Sequence, residues 1–159
     1  FYAQALRASP LWGTFDVLFG PAYKGIPLVT AVGMALDAEF GADLPVCYNR
    51  KEAKDHGEGG TLVGASMHGK RVLVVDDVIT AGTAVTEAMA LVRAAGGTGV
   101  GVLIALDREE VGGGAEPPAA GEPRESAVQR VRREHGLHVV PVVGMRHLLA
   151  FLSERQDGS

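Results

Sequence analysis

The sequence has a single cysteine, Cys47, which excludes an internal disulfide and a multi-cysteine zinc site. It lacks any apolar run near the roughly 18 residues that a membrane-spanning helix needs; the best stretch, Val100 to Leu106, is far shorter. It lacks net positive charge as well. A formal charge of −4 supplies no basic field for non-specific nucleic-acid binding. Its 22 Gly and 8 Pro are too few and too aperiodic for a collagen-like chain. There is no initiating Met ahead of Phe1 and no charged-then-apolar leader, so the expectation is a cytoplasmic protein lacking part of its N-terminus. What is present is an apolar fraction of 47% in 159 residues, enough for one domain with a real core.

Short β-rich runs alternate with helical ones. Thr14 to Phe19 reads as a strand ending at Gly20-Pro21, and Ile26 to Phe40 as a helix with Val29, Val32, Leu36 and Phe40 on one face. Val46 to Asn49 is a short strand, and residues 50–60 (RKEAKDHGEGG) form a polar loop without apolar periodicity. Arg71 to Val75 (RVLVV) has the continuous apolar character of a strand buried on both faces. Val85, Ala88, Met89 and Val92 then fall at helical spacing before Gly96-Gly97, and Val100 to Leu106 is another buried strand. Residues 112–123 (GGGAEPPAAGEP) read as a low-complexity mobile insert. A helix over Arg124–His135, a strand over His138–Val143 near a sheet edge because of Pro141, and an amphipathic helix through Met145, Leu148, Leu149 and Leu152 complete the chain. The pattern predicts a single α/β domain over 1–159 with a mainly parallel sheet, whose ligand binds beyond the strand carboxyl ends. The segments after Phe19, Val75 and Leu106 therefore matter most.

After RVLVV come Asp76-Asp77-Val78-Ile79-Thr80-Ala81-Gly82-Thr83 and then a helix. A hydroxyl-bearing loop entering a helix N-terminus can converge N–H donors on an anion, and Gly82 allows the close approach of a phosphate. The two carboxylates suit ribose hydroxyls, or a magnesium ion through water. No GxxxxGK[ST] loop is present, so the ligand expected is a ribose phosphate rather than a nucleoside triphosphate on a Walker loop.

This block resembles the phosphoribosyl-diphosphate (PRPP) motif of type I phosphoribosyltransferases. Phe19-Gly20-Pro21-Ala22-Tyr23-Lys24-Gly25, the segment from Asn49 to Gly60, and Leu106-Asp107-Arg108 are similar to orotate phosphoribosyltransferases in order and spacing. The resemblance implies a Rossmann-like type I phosphoribosyltransferase fold, a central mainly parallel sheet flanked by helices, with a flexible hood loop over 50–60. It implies PRPP contacts from Tyr23, Lys24, Arg50, Lys51, Lys54, His56, Asp76, Asp77, Val78, Ile79, Thr80, Ala81, Gly82, Thr83 and Ala84, with Lys54, His56, Asp76 and Asp77 as catalytic residues. Thr80 and Arg108 would bind orotate, Arg108 because a guanidinium pairs bidentately with a carboxylate. Mg²⁺ would arrive mainly with PRPP, with no direct protein ligand. The implied partners are orotate, PRPP and a second copy of the chain sharing its active sites, with no nucleic acid or membrane. A purine phosphoribosyltransferase and a PRPP-sensing regulator of the same fold are the alternatives. Cys47 reads as a core thiol, Trp12 as packing, and His68, His135, His138 and His147 match no metal-ligand spacing.

Overall fold

The computed structural model describes residues 1–51, 61–79, 83–110 and 125–156. The expected loop over 50–60, beyond Lys51, and the expected insert over 112–123 lie outside these residues, and so does Arg124.

The elements run α1 (Tyr2–Arg7), β1 (Val17–Gly20), α2 (Gly25–Phe40), β2 (Val46–Asn49), β3 (Leu62–Gly64), β4 (Arg71–Val75), α3 (Thr83–Ala94), β5 (Thr98–Asp107), α4 (Ala127–His135), β6 (His138–Gly144) and α5 (Met145–Gln156). The strands form one sheet in the order β3-β2-β1-β4-β5-β6. Every neighbouring pair is parallel except β2 with β3. Strand β6 is an edge, as Pro141 predicts, since proline offers no N–H to a further strand.

The two-residue alternation of the strands divides the core into two layers. Val17, Phe19, Val72, Val74, Val102 and Ile104 point to one face, against Val85, Ala88, Met89 and Val92 of α3 and Val128 and Val131 of α4. Leu18, Leu73, Val75 and Leu103 point to the other, against Ala3 and Leu6 of α1 and Val29, Val32 and Leu36 of α2. The four α3 residues picked out by spacing are the ones buried in that helix. A side chain such as Leu73, fully buried in this way, contributes about 1.5–3 kcal/mol. Cys47 is buried among them as a core thiol, and burial pushes its pKa up.

Several boundaries differ from the sequence expectation, each for a local reason. The first strand begins at Val17, not Thr14, because the Thr14 N–H and hydroxyl both turn back to the Leu11 carbonyl. Helix α4 begins at Ala127, where Ser126 and Gln129 form a reciprocal capping box. Strand β5 runs from Thr98 to Asp107, because pairing with β4 starts at Arg71 opposite Thr98 and pairing with β6 runs out to Asp107 opposite Gly144. Helices α1 and strand β3 were not expected at all; each is shorter than the window in which periodicity is legible. The last helix forms as expected, but Leu149, Phe151 and Leu152 on it stay exposed.

Candidate active site

The chain leaves β1 into α2 on one face of the sheet and leaves β4 into α3 on the other. Since β1 and β4 are neighbours, the gap between their carboxyl ends is the topological switch point, where open α/β sheets bind ligands. The residues singled out in the sequence gather there. Pro21 to Lys24 follow β1, Asn49 to Lys51 follow β2, and Asp76 follows β4. They line an open cavity of about 770 Å³ together with Thr61 and with Ala84, Glu87, Ala88 and Leu91 of α3.

The turn after β1 is tight because glycine brackets it. A Cβ on Gly20 would stand 2.2 Å from the Gly25 carbonyl oxygen, and one on Gly25 would stand 2.7 Å from Gly20. The turn is closed further by the Gly25 N–H donating to the Pro21 carbonyl, and the Ala22–Tyr23 peptide is cis. From the neighbouring strand end, the Asn49 Oδ1 accepts the Ala22 N–H at 2.8 Å. Asn49 thus joins the segment carrying Tyr23 and Lys24 to the one carrying Arg50 and Lys51. Lys51 Nζ sits 5.1 Å from the centre of the Tyr23 ring, a cation–π contact within the cleft.

Lys24 reaches across the switch point to Asp77, Nζ to Oδ2 at 2.6 Å. The other oxygen, Oδ1, accepts the Val78 N–H at 2.8 Å, and the Asp76 Oδ1 accepts the Asp77 N–H at 2.9 Å. These environments push the two carboxyls apart. Burial, reinforced by the Asp77 charge, raises the Asp76 pKa to about 6. Burial acts against Asp77 as well, but the Lys24 ammonium and the Val78 N–H outweigh it and hold that carboxyl below its usual range. The same pairing raises the Lys24 pKa. Tyr2, far away in sequence, donates its hydroxyl to the Asp76 carbonyl at 3.1 Å.

The structure brings Tyr23, Lys24, Arg50, Lys51, Asp76 and Ala84 to one cleft. Asp77 joins them through Lys24. Thr83 and Ala84 open α3, whose N-terminus carries the partial positive charge suited to a phosphate. Val78 is tied by its backbone to Leu106 of β5 through a parallel bridge, and the Ile79 side chain is buried in the core, so these two residues anchor the start of the loop. Lys54, His56, Thr80, Ala81 and Gly82 lie outside the described residues. Arg108, past the end of β5, pairs with Glu110. Asp107 instead accepts the Glu109 N–H. Sequence reasoning gave no role to Tyr2 or Asn49. A strand-end Asn directly before a pair of cations was a usable signal; nothing local marked Tyr2.

Among the described residues no group of three or more His, Cys, Asp or Glu is placed to hold a metal ion, and no helix is long and apolar enough to cross a membrane.

The chain matches the model of the phosphoribosyl transferase domain over residues 1–129. It is 54% identical over 156 residues to an orotate phosphoribosyltransferase of Xanthomonas axonopodis pv. citri, covering 98% of this chain and 67% of that protein. The crystal structure of an orotate phosphoribosyltransferase from Francisella tularensis is similar with a TM-score of 0.79 at 34% identity, covering 96% of this chain and 67% of that one. The Mycobacterium tuberculosis orotate phosphoribosyltransferase, solved in complex with 5-phospho-α-D-ribosyl 1-diphosphate, shares the fold with a TM-score of 0.65 at 23% identity, over 91% of this chain and 72% of that one. The chain spans about two thirds of the length of the curated relatives it matches.

Proposed function

Because this chain belongs to the orotate phosphoribosyltransferase family, we propose that it transfers the ribose 5-phosphate of PRPP to orotate, giving orotidine 5′-monophosphate and diphosphate in pyrimidine biosynthesis. The observation that carries this reading is the meeting of Lys24 and Asp77 at the switch point, beside Asp76 and the α3 N-terminus. It sets a cation, two carboxylates and an anion-favouring helix end around one cleft. PRPP presents the complementary set, a diphosphate, vicinal hydroxyls and a phosphate.

In the reaction the bond from the anomeric carbon to diphosphate breaks and its electron pair leaves with the diphosphate. A ring nitrogen of orotate forms the new bond and gives up its proton. Positive character grows on the ribose and negative charge on the leaving group, so catalysis is chiefly positioning and electrostatics. Asp76 and Asp77 accept hydrogen bonds from the ribose hydroxyls, and residues 80–83 with the start of α3 hold the 5′-phosphate. Lys24, Arg50, Lys51, Lys54 and His56 neutralise the departing diphosphate, with Lys54 or His56 supplying a proton to it. Thr80 touches the base and Arg108 pairs with the orotate carboxylate.

The donor set fits magnesium carried in by PRPP. Carboxylate oxygens suit a hard cation, and at least three of the four on Asp76 and Asp77 already hold a hydrogen bond, which favours contact through water. When bound, the ion neutralises diphosphate charge.

The proposal includes a two-fold homodimer in the cytoplasm, with each hood loop serving the partner's site. Met34 on α2, 70% exposed, and the apolar side chains of α5 are surface of the kind subunit contacts cover. The test is a base panel of orotate, uracil, adenine and hypoxanthine, each with PRPP and Mg²⁺. Orotate alone should be consumed; consumption of a purine base in its place would move the chain to the purine-specific branch.

A further inference from the structure

We propose that Tyr2 is a positioning residue for the paired carboxylates, acting through the peptide that joins Asp76 to Asp77; this rests on reading the cleft as a PRPP site. Each carboxylate hangs on the N–H of the peptide that follows it: Asp76 Oδ1 on the Asp77 N–H at 2.9 Å, Asp77 Oδ1 on the Val78 N–H at 2.8 Å. The direction of each acid group is thereby tied to the plane of a peptide. The peptide after Asp77 is held at its other end by β5, whose Ala105 and Leu106 N–H groups donate to the Asp77 carbonyl at 2.8 and 3.3 Å. Among the described residues no strand does this for the peptide after Asp76. Pairing of β4 with β1 stops at Phe19 opposite Val74, two residues short of Asp76. There the Tyr2 hydroxyl donates to the Asp76 carbonyl at 3.1 Å. Tyr2 thus takes the place of the missing strand neighbour and clamps the peptide from which the Asp76 carboxylate hangs.

The clamp stands on a fixed base. Helix α1 buries Ala3 and Leu6 under the sheet, and the Tyr2 ring packs on the same cluster. Burial, with the charges of Asp77 and Asp76 adding, pushes the Tyr2 pKa up to about 12, so the hydroxyl keeps its proton throughout the neutral range.

The experiment is PRPP titration by calorimetry in the presence of Mg²⁺, on the wild-type protein, Tyr2→Phe, Asp76→Ala and the double variant, together with amide exchange at Asp77 without ligand. Tyr2→Phe keeps the ring and its packing, so its melting temperature should stay near that of the wild type. Loss of one hydrogen bond should weaken PRPP binding about 3- to 10-fold. In the Asp76→Ala background, where no carboxylate hangs on the clamped peptide, the same change should cost less than about twofold. The Asp77 amide should exchange several-fold faster in Tyr2→Phe. Unchanged PRPP affinity and unchanged Asp77 exchange in Tyr2→Phe would overturn the proposal, as would a full loss that persists without the Asp76 side chain. A wild-type protein that binds no PRPP overturns the reading of the cleft, and the role of Tyr2 with it.

Discussion

Lys24 Nζ lies 2.6 Å from Asp77 Oδ2, so the group proposed to meet diphosphate and the group proposed to meet ribose neutralise each other. They are 53 residues apart in sequence and meet because β1 and β4 are neighbours whose following helices go to opposite faces. In the proposed function PRPP exchanges this one ion pair for two contacts of its own.

The pair predicts that Lys24→Gln separates activity from stability. Lys24 is largely exposed although Asp77 is partly buried, and a pair with one end in solvent adds little to folding, so the melting temperature should stay near the wild-type value. The activity lost should be that of one well-placed electrostatic group, about 10²-fold in kcat/KM for PRPP. Steady-state kinetics beside a thermal melt checks both halves.

Arg108 supplies a prediction about the base. Uracil lacks the carboxylate that Arg108 is proposed to bind, so orotate should be preferred by about 10- to 100-fold, the worth of one charge-assisted pairing, and Arg108→Leu should erase most of that preference. Arg108 is paired with Glu110, which would compete with a carboxylate substrate in the proposed site. Glu110→Gln should therefore lower KM for orotate by a few-fold. Comparison of kcat/KM on orotate and uracil for the three proteins decides it.

The raised pKa of Asp76 predicts a stability cost at neutral pH. The folded carboxyl titrates near 6, above its ordinary 3.8, so between those values the folded state binds more protons than the unfolded one. Stability from this group is full below about pH 4 and is lost as pH rises through 6. Asp76→Asn should then stabilise the magnesium-free protein at pH 7.5 by about 1 kcal/mol, after allowance for solvent screening, and have little effect at pH 4. Denaturant midpoints at the two pH values measure the difference.

The shared-site dimer predicts complementation. Lys54→Ala and Asp77→Asn homodimers, each inactive, should regain about a quarter of wild-type activity once subunits exchange, because half of randomly paired dimers are mixed and each has one intact site. Activity that stays flat after verified exchange places the loop over its own chain's site.

The sequence made the sheet legible, together with the place where the acid pair leaves β4 ahead of a helix, because both follow short-range rules. RVLVV has the β-branched, continuous apolar character of a doubly buried strand, and acids followed by a glycine-bearing turn into a helix are read locally. Tyr2 was not legible, because its role depends on a contact across 74 residues. Strand β3 was missed for a similar reason: three residues, Leu62 to Gly64, pair antiparallel with β2 only because the chain folds back beside it. The exposed apolar side of α5 reads in sequence like any core-facing helix, since periodicity cannot tell a covered face from a bare one.

In the proposed function the acid pair after β4 acts on PRPP so that its ribose passes to orotate. The most direct test of this is the initial rate of orotate loss, with diphosphate release, for the wild-type protein and Asp77→Asn side by side under saturating PRPP and Mg²⁺. The account predicts orotate loss that requires PRPP, one diphosphate per orotate, and a rate about 10²–10³ lower in Asp77→Asn, equivalent to roughly 2.7–4 kcal/mol. An Asp77→Asn rate within twofold of wild type, or no orotate loss in either protein, would contradict it.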